Sequence, residues 1–168
     1  MVAGALALAL GYVGEAGAVS IAYRATDLPD GGGLDLWKYE YFVSGGSFDT
    51  GFGFSILFPV GETQDLQPLP TPADADWDVI AIQPDPQLAD DGRYDAQAKV
   101  DGATLGAAFA VQFHWLGAGA PGSQLFELYD PSFATIGTGE TTPVPEPVTG
   151  ALLGLGLAAV ALARRVTS

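Results

Sequence analysis

Large apolar side chains recur at every second position through the middle of this chain, and this period of two constrains the fold more than any other feature. In residues 36–43, Trp37, Tyr39, Tyr41 and Val43 fall on one side of an extended chain, and the charged residues between them fall on the other. Successive side chains of a strand point to opposite faces, so this pattern is typical of an antiparallel strand with one buried face.

About eight short segments share this alternation and are separated by turns rich in Gly, Pro and Asp. They are residues 19–23, 36–43, 51–58, 77–82, 94–100, 107–116, 124–129 and 133–137. Residues 59–76, rich in Pro, Gln, Asp and Thr, are predicted to form a long surface connection. The predicted fold is all-β, an antiparallel two-sheet β-sandwich of jelly-roll type over residues 19–137, with a single-sheet barrel as the alternative. The order of the strands stays open.

The charge of the chain narrows the class of partner. Its 168 residues carry a formal charge of −14, from 6 basic and 20 acidic side chains. Residues 1–18 contain Glu15, and residues 148–168 contain Arg164 and Arg165; without these ends, 4 basic and 19 acidic side chains remain, a net of −15. Such a charge argues against nucleic acid and anionic lipid and favours solubility and divalent cations. With no cysteine, disulfides and thiolate metal sites are excluded.

Residues 1–18 have the features of an export signal. Residues 2–10 form an apolar run, and Ala16-Gly17-Ala18 fits the small-x-small cleavage pattern, which makes Val19 the predicted first residue of the mature chain. No basic segment precedes the apolar run, so the start codon is expected upstream. A buried N-terminal strand or helix is the alternative interpretation.

Three features follow one another at the C-terminus, after a Thr/Pro-rich spacer predicted over residues 138–147. Val144 leads into the motif Pro145-Glu146-Pro147, an uncharged apolar run follows over residues 148–163, and Arg164 and Arg165 come next. A helix of this run would be roughly 24 Å long, which can cross the ~30 Å hydrocarbon layer if the bilayer thins locally. The two arginines would then stay cytoplasmic.

This order of motif, apolar helix and basic tail resembles the PEP-CTERM sorting signal. The resemblance covers residues 144–165 and implies recognition by an exosortase, a membrane protease. It further implies a Gram-negative, exopolysaccharide-producing host, a transient stay in the inner membrane, and delivery to the cell surface or extracellular matrix. The motif residues would be Val144, Pro145, Glu146 and Pro147. A permanent membrane anchor is the alternative interpretation.

The central region is similar to domains found ahead of such sorting tails. The similarity rests on the strand with Trp37, Tyr39 and Tyr41, on the strand that ends in Trp115, and on the Pro-Gly-Ser-Gln-x-Phe segment over residues 121–126. We therefore expect a non-catalytic structural or adhesive protein of the exopolysaccharide or biofilm.

Residue types suited to catalysis are scarce. His114 is the single histidine, and the sequence has no cysteine and no Gly-x-Ser-x-Gly turn. The prediction is a protein without catalytic residues or cofactor. Glu40 and Glu127 are the glutamates that fall within predicted strands, and a surface glycoside hydrolase, which needs two carboxyl groups about 5–10 Å apart, is the second alternative.

A calcium-dependent carbohydrate-binding module is the first alternative. The patterns Asp27-x-x-Asp30-Gly-Gly-Gly-x-Asp35 and Asp74-x-Asp76-x-Asp78 place hard oxygen ligands on turns, as Ca²⁺ prefers, although neither is an EF-hand loop. Sugar binding would also need exposed aromatic side chains. Most aromatic residues occupy positions that the core requires, and the candidates for exposure are Trp77, Tyr94 and Tyr129.

Overall fold

The computed structural model describes residues 18–145, which form ten strands and one short 3₁₀ helix, Pro72–Ala75. The strands are β1 Ser20–Asp27, β2 Asp35–Ser44, β3 Gly53–Phe58, β4 Thr63–Leu69, β5 Trp77–Ile82, β6 Gly92–Ala98, β7 Phe109–Trp115, β8 Leu125–Tyr129, β9 Thr135–Glu140 and β10 Thr142–Pro143.

Two five-stranded sheets contain these strands, in the orders β10-β1-β2-β7-β4 and β5-β6-β3-β8-β9. Every pairing is antiparallel except that of β1 with β10. The predicted all-β architecture of two sheets is confirmed. The order β1-β2-β7-β4 opposite β3-β8-β9 follows the ABED and CFG order of immunoglobulin-type sandwiches, with the β5–β6 hairpin added beside β3. This order differs from that of a jelly roll, the type of sandwich expected from the sequence. The sequence left the strand order open, because alternation assigns side chains to faces but does not choose a strand's neighbour.

The core between the sheets is built from the residues that the alternation predicted to be buried. Tyr39 and Tyr41 of β2, Phe54 and Phe58 of β3, and Phe113 of β7 are each 0% exposed. A second group of rings packs edge to face, with centroids 5.0 to 6.2 Å apart. Its members are Phe48, Phe54, Trp77 and Phe109. Edge-to-face packing is the arrangement that aromatic quadrupoles favour.

The segment 121–126 fastens the two tyrosines of β2 to the other sheet. The Tyr39 hydroxyl donates to the Pro121 carbonyl at 2.7 Å, and the Tyr41 hydroxyl donates to Gln124 Oε1 at 2.6 Å. The Gln124 backbone N–H in turn donates to Thr141 Oγ1 at 2.9 Å. These sequence features therefore satisfy buried polar groups within the fold.

Two stretches predicted as irregular contain strands. Residues 59–76 include β4, which has no clean alternation because its register shifts between Gln64 and Gln67. Residues 138–143, predicted as spacer, form the end of β9 and all of β10. In β9, a Cβ at Gly139 would lie 2.5 Å from the tip of the Phe126 ring, so this glycine lets the ring pack against the β9 backbone. The Thr/Pro-rich composition of the stretch, which is typical of a linker, hides these strands in the sequence.

The hydrophobic helices predicted at the two ends lie outside residues 18–145. Within that range, no helix has the length and apolar character needed to cross a membrane.

Candidate functional site

The outer face of the second sheet carries a shallow groove of about 300 Å³, which we call the outer groove. Its floor contains the polar side chains Ser55, Arg93, Asp95 and Glu127. Its walls are apolar, with Ile80 and Ile82 of edge strand β5 on one side and Tyr129 and Phe133 on the other. A concave surface with apolar walls and a few converging polar groups is the usual form of a small-molecule site.

Asp95 is the centre of the polar floor. Its neighbour across the sheet is Ser55, whose hydroxyl donates to Asp95 Oδ2 at 2.6 Å. The Tyr129 hydroxyl donates to Asp95 Oδ1 at 2.7 Å. Burial raises the pKa of Tyr129 well above its ordinary value, and the hydrogen bond to Asp95 raises it further, so this hydroxyl remains a proton donor. The orientation of the Asp95 carboxylate is therefore fixed from two sides.

A glycine allows Tyr129 to reach this position. Gly53 faces Tyr129 across the strand pair, and a Cβ at residue 53 would lie 2.3 Å from the Tyr129 hydroxyl oxygen and from the Ala96 carbonyl oxygen. The tyrosine ring therefore occupies the space above Gly53 and is only 5% exposed.

Phe133 extends the aromatic wall from the turn between β8 and β9. Its ring stacks on Tyr129 with centroids 5.5 Å apart and planes inclined by 29°. The residue is 68% exposed, and its φ of 61° lies in the left-handed region that bulky residues rarely adopt. Asp130 holds the turn, because its Oδ1 accepts hydrogen bonds from the backbone N–H groups of Ser132 and Ala134.

The second carboxylate of the floor is Glu127, on the other side of Ser55 from Asp95. Its Oε2 lies 3.4 Å from Arg93 Nη1. The Asp95 and Glu127 backbones are two strand spacings apart, about 9.5 Å. The floor thus presents two carboxylates and one guanidinium to the open side of the groove.

The predicted hydrolase pair does not share a cleft. Glu40 lies on the outer face of the first sheet, beside Lys38 at 3.4 Å and Arg24 at 3.9 Å. Glu127 lies on the outer face of the second sheet, so the core of the sandwich separates the two carboxylates. His114 Nδ1 lies 3.0 Å from Asp65 Oδ2 on the first sheet, far from the outer groove.

Of the two predicted calcium patterns, one converges. A carboxylate oxygen from each of Asp27, Asp30 and Asp35 can be chosen so that all lie within 4.8 Å of one another, next to the β1–β2 turn. The second pattern serves local structure instead. Asp74 accepts from the Thr71 backbone N–H, and Asp76 accepts from both the hydroxyl and the backbone N–H of Thr104, contacts that lower the pKa of Asp76.

The three aromatic residues singled out for exposure are buried. Trp77 and Tyr94 are each 1% exposed and belong to the core, and Tyr129 lines the groove but is only 5% exposed. Among residues 18–145, the aromatic residue that is largely exposed is Phe133, which was predicted to lie in a strand. The sequence feature that could have predicted this exposure is the preceding Asp130-Pro-Ser, which is typical of a turn. The alternation of the neighbouring residues obscures this turn.

Some residues of the predicted processing signals can be located. Ala18 is exposed and lies two residues before β1, and Gly45 packs against its carbonyl. The Val144 backbone N–H donates to the Tyr23 carbonyl at 2.8 Å, and Pro145 is exposed. The other predicted signal residues lie outside the described part of the chain: Ala16, Glu146, Pro147, Arg164 and Arg165.

Comparison with known proteins adds no assignment: no protein-family model matches this chain, and no curated protein matches it significantly.

Proposed function

We propose that this chain is an exported protein, sorted by an exosortase-type membrane protease and delivered to the cell surface or extracellular matrix. The observation that carries the proposal is the order Pro145-Glu146-Pro147, apolar run, Arg164-Arg165 at the C-terminus. The position of the folded region supports it. The first strand begins at Ser20, just after the predicted signal cleavage site, and the last strand ends at Pro143, just before the motif.

We infer a non-catalytic role in contact with the exopolysaccharide or biofilm. The two glutamates of the hydrolase alternative lie on opposite faces of the sandwich, and His114 is engaged by Asp65. Nucleic acid is an unsuitable partner because the basic side chains of the sandwich already contact acidic groups or a carbonyl. These are Arg24, Lys38, Arg93 and Lys99.

Intact-mass measurement of the form isolated from the cell surface tests the sorting proposal. The mature protein is expected to begin at Val19 and to lack residues 148–168. A Glu146→Ala variant should keep the C-terminal segment and remain in the membrane fraction, whereas Glu140→Ala, an acidic residue outside the motif, should be processed normally. A surface form that still carries residues 148–168 would show a permanent anchor instead.

A calcium-dependent carbohydrate-binding module is the second candidate, favoured by the convergence of Asp27, Asp30 and Asp35. Three hard oxygen ligands on a turn suit Ca²⁺, with backbone carbonyls and water completing the shell. Millimolar CaCl₂ should then raise the melting temperature above that in NaCl of equal ionic strength, and Asp30→Asn should abolish the difference. Asp78→Asn is the matched control. An identical melt in the two salts would remove this candidate.

A further inference from the structure

We propose that the outer groove is a binding site for a neutral saccharide chain built of pyranose units. This proposal identifies the class of ligand for the proposed contact with the extracellular matrix, and its biological relevance rests on that proposed function. The chemistry rests on the groove alone.

The polar floor requires a ligand that brings hydrogen-bond donors. Ionised carboxylates are acceptors only, each with about four lone-pair sites. Ser55 and Tyr129 occupy one site on each oxygen of Asp95, so further sites remain for hydroxyl groups entering from the open side. Arg93 supplies donors for ring and hydroxyl oxygens, because its guanidinium makes one long contact with Glu127 and its side chain is 38% exposed.

Charge excludes an acidic ligand. The floor has one guanidinium against two carboxylates, so a polyuronate or phosphate ester would meet net repulsion in the groove. The acidic surface of the whole sandwich adds to this repulsion. A neutral chain of hydroxyl groups avoids it and satisfies the same acceptors.

The walls require apolar faces on the same ligand. Ile80 and Ile82 are 50% and 48% exposed on one side, and Phe133 is 68% exposed on the other. The charged floor divides this apolar surface into two strips, whereas an interface core for a protein partner is depleted of charged residues. A pyranose ring combines C–H faces with a rim of hydroxyl groups and therefore matches both the walls and the floor.

The conformation of Phe133 is the second observation that points to a ligand. A large side chain at a φ of 61° is disfavoured, and such strain is found where the surrounding structure enforces it, often at ligand sites. The Asp130 turn enforces it here, yet most of the ring faces solvent. Asparagine tolerates this backbone conformation, so Phe133→Asn removes the ring while keeping the turn.

Titration calorimetry of the full chain in mild detergent tests the proposal. The probes are cellohexaose, mannohexaose and xylohexaose, with a polygalacturonate fragment of similar length as the acidic comparison. We expect at least one neutral hexasaccharide to bind with a dissociation constant below about 1 mM. Phe133→Asn should weaken this binding about tenfold or more. Its melting temperature should be unchanged or higher.

Two further variants distinguish a loss of binding at the outer groove from a loss caused by removing any exposed apolar side chain. Ile80→Thr, on the opposite wall, keeps a β-branched side chain in β5 and should also weaken binding. Leu116→Ala removes a 46% exposed apolar side chain that does not line the groove and should leave binding unchanged.

Three results would overturn the proposal: no binding of any neutral hexasaccharide, binding that survives Phe133→Asn, or a preference for the polygalacturonate. The outcome is independent of the mass measurement. A surface form that keeps residues 148–168 but binds the saccharide would refute sorting alone, and a processed form that does not bind would refute the groove alone.

Discussion

At the scale of single residues, the absence of a side chain at Gly53 determines how the outer groove is built. Gly53 leaves the space in which Tyr129 lies, and from there the tyrosine hydroxyl reaches Asp95 at 2.7 Å. The Asp95 carboxylate is thereby held on the outer face of the sheet, where a polar residue of a strand would otherwise choose among several rotamers.

Gly53→Ala is expected to destabilise the fold and to displace Tyr129. The new Cβ would meet the Tyr129 ring and the Ala96 carbonyl, and overpacking of this kind costs about 1–3 kcal/mol. The free energy of unfolding from urea titration measures the effect. Gly106→Ala is the control, because its Cβ would meet no atom within 4 Å. Equal stabilities of the two variants would contradict the role assigned to Gly53.

Asp130 is expected to contribute a pH-dependent part of the stability. Hydrogen bonds from Ser132 and Ala134 lower its pKa below the usual 3.8. Because the folded-state pKa is the lower one, this contribution is complete above about pH 4 and is lost as the pH falls through the folded-state value.

The melting-temperature difference between the wild type and Asp130→Asn measures this contribution. The wild-type advantage should be constant from about pH 7 to pH 5 and shrink below about pH 4. Repulsion among the other carboxylates also changes with pH, but it changes in both proteins and therefore cancels in the difference between their melting temperatures. An advantage that stays constant down to pH 3 would refute the prediction.

At the scale of elements, strand β2 and the segment 121–126 form one hydrogen-bonded unit. The hydroxyls of Tyr39 and Tyr41 point into the core, where burial raises the pKa of both, and each finds its acceptor in this segment. Buried hydroxyls without partners would be costly. The segment therefore supplies the acceptors that make the burial of these two tyrosines possible in this fold.

Tyr41→Phe should lower the free energy of unfolding by about 1–3 kcal/mol, because it leaves the buried Oε1 of Gln124 without its donor. Urea titration measures the loss. Tyr23→Phe is a matched control, since the hydroxyl of Tyr23 makes no hydrogen bond among residues 18–145. A loss as large in Tyr23→Phe would show that the Gln124 bond is not the cause.

At the scale of the whole molecule, the dominant feature is an excess of negative charge. Residues 19–147 carry a net charge of −15, and three of the four basic side chains, Arg24, Lys38 and Arg93, form ion pairs. Self-repulsion of this kind keeps a protein soluble but weakens its compact state.

Added salt should therefore raise the melting temperature. Going from about 10 mM to 150 mM NaCl shortens the screening length from about 30 Å to about 8 Å. Choline chloride should act equally if screening is the cause. A melting temperature that falls with either salt would show that the surface ion pairs outweigh the repulsion.

The alternation of the sequence determined much of this protein. It predicted the all-β class, the approximate position of most strands, and the burial of Tyr39, Tyr41, Phe54 and Phe113, because the side-chain period of a strand is a local property of the chain. The spacing of Asp27, Asp30 and Asp35 separately predicted their cluster, because its members are close in sequence. The proposed sorting signal is likewise a linear motif, so it can be inferred from the sequence without the fold.

The tertiary structure alone decided the strand order and the outer groove. Ser55, Asp95 and Glu127 come from three strands whose neighbours are chosen by packing between distant segments, and no local pattern encodes that choice. Trp77 and Tyr94, which were candidates for exposure, are buried in the core. Phe133, which was predicted to lie in a strand, is exposed because it lies in the turn that Asp130 holds. Which polar side chains meet, and which aromatic ring faces solvent, depends on contacts made only when the sheets assemble.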